Sequence, residues 1–299
     1  MASTVKMLSD KGIIKPPQYA KDTQYEVIMG SFAYGINNDM SDIDIYGFCI
    51  PSKHIVFPHI NGHINGFGPT PQGFDQFQEH HIVDPDNAER TYDLNIYNII
   101  KYFNLCLGNN PNMVDSLFVP RRCIIHETNL GRHVRENRKL FLSKHVKHTF
   151  MGYSFAEMHK VENKKYANSK RKEIVDKWGY DPKNLSHVRR LLQECVQILA
   201  EGDLDLEKDN EVLKAIRRGE VGLDDTRKWI AETERTIEKL YSESTAVPHK
   251  PDEAAIKQIL IDCLEMHYGS LSNIIAKSDS VYQNAVIEMK QVLHKHGIL

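Results

Sequence analysis

The sequence predicts an α+β fold: a head of strands and short helices over residues 1–122, followed by a mostly α-helical region over 123–299. Two observations lead to it. Compact β-type runs cluster before residue 93, and from about Asn129 onward apolar residues recur at helical spacing. Strands gathered in one part of a chain and helices in another form the α+β pattern. The 299 residues are enough for one large domain or two ordinary ones.

Pro16-Pro17 separates a short leader from the first strand, Tyr25 to Met29, which Gly30 ends. Ser31 is a good N-cap for a short helix reaching about Gly35. Asp42 to Ile50 is the second strand, closed by Pro51-Ser52, and a loop rich in Gly, Pro and Asn runs from about Phe57 to Gly73. Phe77 to Val83 is a third strand, Asp84-Pro85-Asp86-Asn87 a turn, and Ala88 to Asp93 a return strand. The period then changes: Leu94, Tyr97, Ile100, Asn104 and Leu107 predict a helix from about Asn95 that Gly108 caps. Met113 to Phe118 is a further short helix, stopped near Pro120.

The clearest later helix is Leu185 to Ala200, where Val188, Leu191, Leu192, Cys195, Ile198 and Leu199 form one apolar stripe before Gly202. Ser186 or Asn184 is its expected N-cap. Asp225 to Tyr241 and Asp252 to Tyr268 repeat the helical pattern, and there is no internal repeat.

With 41% hydrophobic and 26% charged residues, the composition is that of a soluble globular protein. No apolar run of about 18 residues indicates a transmembrane helix, and MASTVKMLSDKGIIKPPQYAK lacks the apolar centre of a secretory signal. Cys49, Cys106, Cys123, Cys195 and Cys263 are scattered, with no C-x-x-C pair. Reduced thiols in a cytoplasmic setting, mostly serving as small core residues, are expected. Net charge is −2, but residues 121–172 hold 14 Lys or Arg against 4 Asp or Glu. That block either lines an anion site or forms solvated helix faces.

The chemistry concentrates in GSFAYGINNDMSDIDIYG, residues 30–47. Strand residues i and i+2 share a face, so Asp42 and Asp44 project together while Ile43 and Ile45 project the other way. Two carboxylates side by side repel, and burying them is costly unless a cation lies between them. Mg²⁺ takes hard oxygen ligands and leaves positions open for substrate phosphates, and Mn²⁺ is the alternative. Gly30 lets backbone approach an anion, and the Ser31 hydroxyl and nearby N–H groups can donate to phosphate oxygens. The stretch thus holds a donor cradle and a carboxylate pair, the two halves of a metal–triphosphate site. Ser41, leading the Ser-Asp-x-Asp step, is a further candidate nucleotide contact.

As G-S-x3-G-x5-S-D-x-D-x2-G between two strands, the stretch resembles the signature of the DNA polymerase beta superfamily of nucleotidyltransferases. That resemblance implies a mixed sheet with flanking helices, a nucleoside triphosphate donor and two divalent metal ions. It implies metal binding by Asp42 and Asp44 and phosphate binding by Gly30 and Ser31. Sites of this kind use a third carboxylate on a neighbouring strand. Asp93 is the best candidate; Asp84, Asp86 and Glu89 are rivals on spacing, and Asp93 could instead cap the helix expected near Asn95.

A narrower resemblance covers DLNIYNIIKYFNLCLGNNPNMVDSLF (93–118) and GYDPKNLSHVRRLL (179–192). Both are similar to the RNA repair pathway DNA polymerase beta family, whose members are predicted nucleotidyltransferases associated with RNA ligases. The match supports Asp93 as the third carboxylate. This chain departs from the family pattern at Val188 and in carrying the pair Arg189-Arg190. Lys183, His187 and Arg190 group near the start of the second segment's helix, as an anion grip or, for Arg190, as an i,i+4 partner of Glu194. Gly152 sits in a long helix ahead of Lys164-Lys165 and would allow close helix packing. His80-His81 and the other histidines show no H-x3-H or H-E-x-x-H spacing and are expected to be structural or exposed.

The expected activity is transfer of a nucleoside monophosphate from a triphosphate to a hydroxyl, with release of pyrophosphate. An RNA end is the acceptor that the resemblance favours; a protein or small-molecule acceptor is an alternative, as is a hydrolase using the same metals. A non-catalytic nucleotide- or RNA-binding module of the same fold is the competing class. No membrane partner is expected.

Overall fold

The computed structural model describes residues 2–38, 41–56, 75–84, 86–162, 169–269, 288–289, 291–293 and 295–296. In chain order the elements of the first half are α1 (Thr4–Asp10), β1 (Thr23–Ile28), β2 (Ile43–Cys49), α2 (Lys53–Val56), β3 (Gln76–Asp84), β4 (Asn87–Asn98), α3 (Ile99–Leu107), α4 (Pro111–Phe118) and β5 (Ile124–Glu127). They continue as α5 (Asn129–Glu136), α6 (Val146–Glu162), α7 (Ser169–Trp178), α8 (Pro182–Glu201), α9 (Asn210–Arg217), α10 (Leu223–Glu243) and α11 (Glu253–Tyr268). The Phe57–Gly73 loop expected from the sequence lies outside the described residues.

The strands form one mixed sheet, ordered β3-β4-β2-β1-β5. β2 and β4 are parallel neighbours and the other pairs are antiparallel. The two faces bury different layers. Ile43, Ile45, Leu94 and Ile96 pack against Val5 and Leu8 of α1, so the leader before Pro16 is folded onto the sheet. Glu26 of β1 fixes it there: buried within the sheet, it accepts from the Ser3 and Thr23 hydroxyls and from the Thr4 N–H at 2.7 Å. The opposite face, through Tyr25, Val27, Phe48 and Tyr97, joins the core of the helical body, which reaches Cys195, Ile237 and Cys263. β5 lies beyond the boundary placed at residue 122, and this one core runs across that boundary.

Three expected elements differ. Residues 30–35 form overlapping hydrogen-bonded turns rather than a helix, with Ile36 N–H donating to the Ser31 carbonyl at 2.9 Å. The helix expected from Asn95 begins at Ile99, with the Asn98 side chain accepting from Lys101 N–H at 2.8 Å. β4 is central and buried on both faces through Leu94, Asn95, Ile96 and Tyr97, and such a strand cannot be told from a helix by apolar spacing alone. Asp181, rather than Ser186 or Asn184, caps α8: its carboxylate accepts from Lys183 N–H at 2.8 Å, and Pro182 fills the first helical position. The stripe of α8 is buried as expected, and Gly202 ends the helix in the left-handed region at φ 64°. All five cysteines are buried free thiols. No helix among the described residues is long and apolar enough to cross a membrane.

A buried polar network joins sheet and helices. The Arg190 guanidinium of α8 lies 2.5 Å from Asp115 of α4 and 2.9 Å from Glu194. It also stacks over the Tyr34 ring at 4.4 Å, and the Tyr34 hydroxyl donates to Asp115 at 2.8 Å. Burial pushes both carboxyls above their ordinary values, against the pull of Arg190. Removing the cation strands two buried acids, so Arg190→Met is expected to cost about 3–5 kcal/mol. Urea unfolding of the variant against wild type measures this, and a loss under about 1 kcal/mol would show that the network does not hold the layers together.

Candidate active site

The site forms where the β1–β2 connection meets the parallel β2–β4 ladder. Asp44 pairs in register with Asp93, so the two side chains emerge side by side on one face. Asp42 immediately precedes β2 and projects to the same side. All three line one cavity of about 660 Å³, together with Gly30, Ser31 and Ser41.

The turn is shaped to the carboxylate. Met29 N–H donates to the Asp44 carbonyl at 2.7 Å. Gly30 has φ 63°, and a Cβ there would stand 2.1 Å from the Asp44 Oδ2. Glycine is therefore required twice, by backbone and by space. From outside, Arg122 clamps the turn, donating to Glu207 at 2.7 Å and to the Phe32 carbonyl at 2.9 Å. Ser41 accepts from Asn38 N–H at 2.9 Å, which closes the loop ahead of Asp42.

Each flanking carboxylate accepts a hydrogen bond on one oxygen. Asp42 accepts from the Thr91 hydroxyl at 2.6 Å, and Asp93 accepts from His81 N–H at 2.7 Å. The His80-His81 pair sits at a register shift between Glu79 and Ile82 of β3, with His81 at φ 57°. That irregularity turns the His81 N–H toward Asp93 and brings His80 Nδ1 within 3.5 Å of its other oxygen. The pair, expected from spacing to be structural or exposed, is exposed and stands beside Asp93 at the edge of the site.

Asp93 is a mid-strand residue and caps no helix. Its rivals are placed elsewhere or lie outside the described side chains. Asp84 accepts from the Tyr92 hydroxyl and from Asp86 N–H in the β3–β4 hairpin, and Asp86 pairs with Lys11. The Glu89 side chain is outside the described residues.

The opposite wall is cationic. Lys183, His187 and Arg190 of α8 and Arg217 of α9 line the cavity. Arg190 is engaged by Asp115 and Glu194. Arg217 donates to the Ser186 hydroxyl at 3.3 Å and pairs with no carboxylate among the described residues. Burial and the charges of Arg190, Arg217 and Lys183 hold the His187 imidazole well below its ordinary value, so it is neutral. Arg189 points away, stacked 3.5 Å over Trp229 and paired with Asp209, so of the two neighbouring arginines Arg190 faces the cavity. Arg217 carries no sequence signal, since its place depends on how α9 folds back onto α8.

The basic block is arranged differently. None of its described lysines or arginines lines the cavity. Arg121 and Arg132 pair with Glu127, Arg122 with Glu207, Lys139 with Asp203 and Lys147 with Glu238. Lys164 and Lys165, and the side chains of Lys170, Arg171 and Lys172, are outside the described residues. Among the described residues nothing lies within 4 Å of where a Gly152 Cβ would stand, so it packs closely against none of their helices.

Burial, together with the charges of Asp93 and Asp42, pushes the Asp44 carboxyl up to about 6, while Lys183 and His80 pull it down. Among the described residues no group of three His, Cys, Asp or Glu side chains converges closely enough to hold an ion. The chemistry of the donor set nevertheless fits a hard divalent cation: oxygen ligands only, with carboxylates repelling one another on one wall.

With a Gly-Ser turn, these strands and a helical cover around one cavity, the chain falls in the nucleotidyltransferase-like class. The sequence profile of the RNA repair pathway DNA polymerase beta family matches residues 17–262, and the chain belongs to that family. No curated protein sequence matches it.

Two outcomes follow from the geometry. Because the folded-state value of Asp44 lies above that of an exposed aspartate, the fold favours its protonated form. That contribution is full below about pH 4 and lost as pH rises through about 6. Asp44→Asn should therefore stabilise the cation-free protein at pH 7.5 by at most about 3 kcal/mol, and flatten the stability profile between about pH 4 and pH 6.5 in urea titrations. Gly30→Ala forces the Asp44 carboxylate aside and costs about 1–2 kcal/mol from the left-handed backbone alone. Equilibrium unfolding measures that cost.

Proposed function

We propose that the protein is a divalent-metal-dependent nucleotidyltransferase that transfers a nucleoside monophosphate from a nucleoside triphosphate to a hydroxyl. The observation that carries this is the pairing of Asp44 with Asp93 across parallel strands, in one cavity with Lys183 and Arg217, two cations with no carboxylate partner among the described residues. One wall suits cations and the other suits phosphate.

Asp42 and Asp44 would hold Mg²⁺ or Mn²⁺, with Asp93 as the third carboxylate. Such ions, when bound, neutralise phosphate charge and acidify an attacking hydroxyl. The turn N–H groups at Gly30-Ser31 and the Ser31 hydroxyl hold the outer phosphates, and Lys183 and Arg217 steady them from the helical side. Ser41 keeps the loop ahead of Asp42 closed. His187, kept neutral, contributes a hydrogen-bonding ring rather than a charge. Asp93 Oδ2 takes the proton of the acceptor hydroxyl as its oxygen attacks the α-phosphorus. The α–β bridging bond breaks and pyrophosphate leaves. Catalysis is then mainly positioning and charge compensation. Family membership supports an RNA end as the acceptor.

Incubation with labelled nucleoside triphosphates, Mg²⁺ or Mn²⁺ and RNAs with defined ends tests this. Label transfer should vanish on chelation and fall by about 10²-fold or more in Asp42→Ala, Asp44→Ala and Asp93→Ala. Arg217→Gln should raise the KM for the triphosphate by about tenfold with a smaller effect on kcat. Triphosphate binding without transfer to RNA, protein or small-molecule acceptors would instead identify a binding module.

A further inference from the structure

The cavity carries one feature that phosphate and metal chemistry leaves unused. Beside the α8 wall, against which α6 packs, its lining also includes Asn112 near the start of α4, and Tyr153 and Glu157 one turn apart on α6. Residues four apart on a helix share a face, so Tyr153 and Glu157 present an aromatic ring and a carboxylate together. Tyr153 is 44% exposed, and Asn110 donates to its hydroxyl at 2.8 Å. Glu157 is 18% exposed, with one oxygen held by Lys160 at 2.5 Å. Its other oxygen has no partner among the described residues. Asn112 is half-buried, and its amide makes no hydrogen bond there either.

A solvent-facing ring that shares the cavity with a carboxylate oxygen and an amide unpartnered among the described residues suits a flat, polar heterocycle. We propose that Tyr153, Glu157 and Asn112 form the nucleobase subsite of the donor nucleotide, selecting bases that carry an exocyclic amine over uracil. This rests on the nucleotidyltransferase reading. Tyr153 supplies the stacking face, which tolerates any base. Glu157 supplies the choice. A carboxylate only accepts hydrogen bonds, so it pairs with the amino groups of adenine, guanine or cytosine. Uracil sets two carbonyl oxygens around a single N–H, and at least one of them faces the carboxylate unfavourably. Asn112, donor and acceptor at once, meets the neighbouring ring atoms of any of the three accepted bases.

The test is equilibrium binding, without acceptor, of the α,β-methylene analogues of ATP, GTP, CTP and UTP with Mg²⁺, beside inorganic triphosphate. Wild type should bind the three amino-bearing analogues about tenfold or more tighter than the uridine one. Tyr153→Ala should weaken all four by about tenfold or more and leave inorganic triphosphate unchanged, whereas Tyr153→Phe keeps most of the affinity. Glu157→Gln, whose amide can donate to a carbonyl, should bring the uridine analogue within about threefold of the others. Unchanged melting temperatures show that the substitutions at Tyr153 and Glu157 leave the fold intact. Equal binding of all four analogues, indifferent to Tyr153→Ala, overturns the base subsite while triphosphate binding still supports transfer. Wild type that binds neither the analogues nor triphosphate overturns both.

Discussion

The parallel ladder between β2 and β4 sets Asp44 directly beside Asp93, and the rest of the site is arranged around that placement. Parallel pairing holds the two carboxylates at one strand spacing along one face, where neither can turn into the sheet because Ile43, Ile45 and Leu94 fill the other side. Burial, and after it the charge of Asp93, raises the Asp44 carboxyl. The surroundings respond to the same crowding. Gly30 leaves room where any side chain would strike Asp44, and the bulge at His80-His81 delivers a backbone N–H to Asp93. Thr91 does the equivalent for Asp42.

Charge is sorted in layers. The inner strands β2 and β4 contribute acids, the helical body contributes cations, and the cavity is lined by both. Arg190 has a different use from its neighbours. Its charge is absorbed by Asp115 and Glu194, and through Tyr34 it ties the turn that follows β1 to α4 and α8. It positions the helical wall, while Lys183 and Arg217 pair with no carboxylate among the described residues. The cost of burying that network is offset by fixing two layers in one register, since a shifted α8 would leave two acids without a cation.

Much of the site was legible in the sequence because its spacing is local. Asp42 and Asp44 share a face by strand period, and Gly30-Ser31 precede them in one turn. The apolar stripe of α8 and its glycine stop were legible for the same reason. The helix expected over Asn95 to Asn98 was not, because a central strand buried on both faces loses the alternation that marks an edge strand. The N-cap of α8 moved to Asp181 because Pro182 takes the first helical position. The basic block had two readings, and pairing with Glu127, Glu207, Asp203 and Glu238, residues near and remote in sequence, occupied most of its described charges.

The sequence by itself determined the α+β order of elements, the carboxylate pair with its glycine turn, and the family to which the chain belongs. Only the tertiary structure decided which acid stands next to Asp44, which arginine is spent inside the protein, and that Arg217, Tyr153, Glu157 and Asn112 share the cavity. The reason is the range of the interactions. Backbone period and turn chemistry act over a few residues and leave a mark in the sequence. Strand partners and helix packing join residues tens to more than a hundred positions apart, and nothing local encodes which of several acids or arginines will meet.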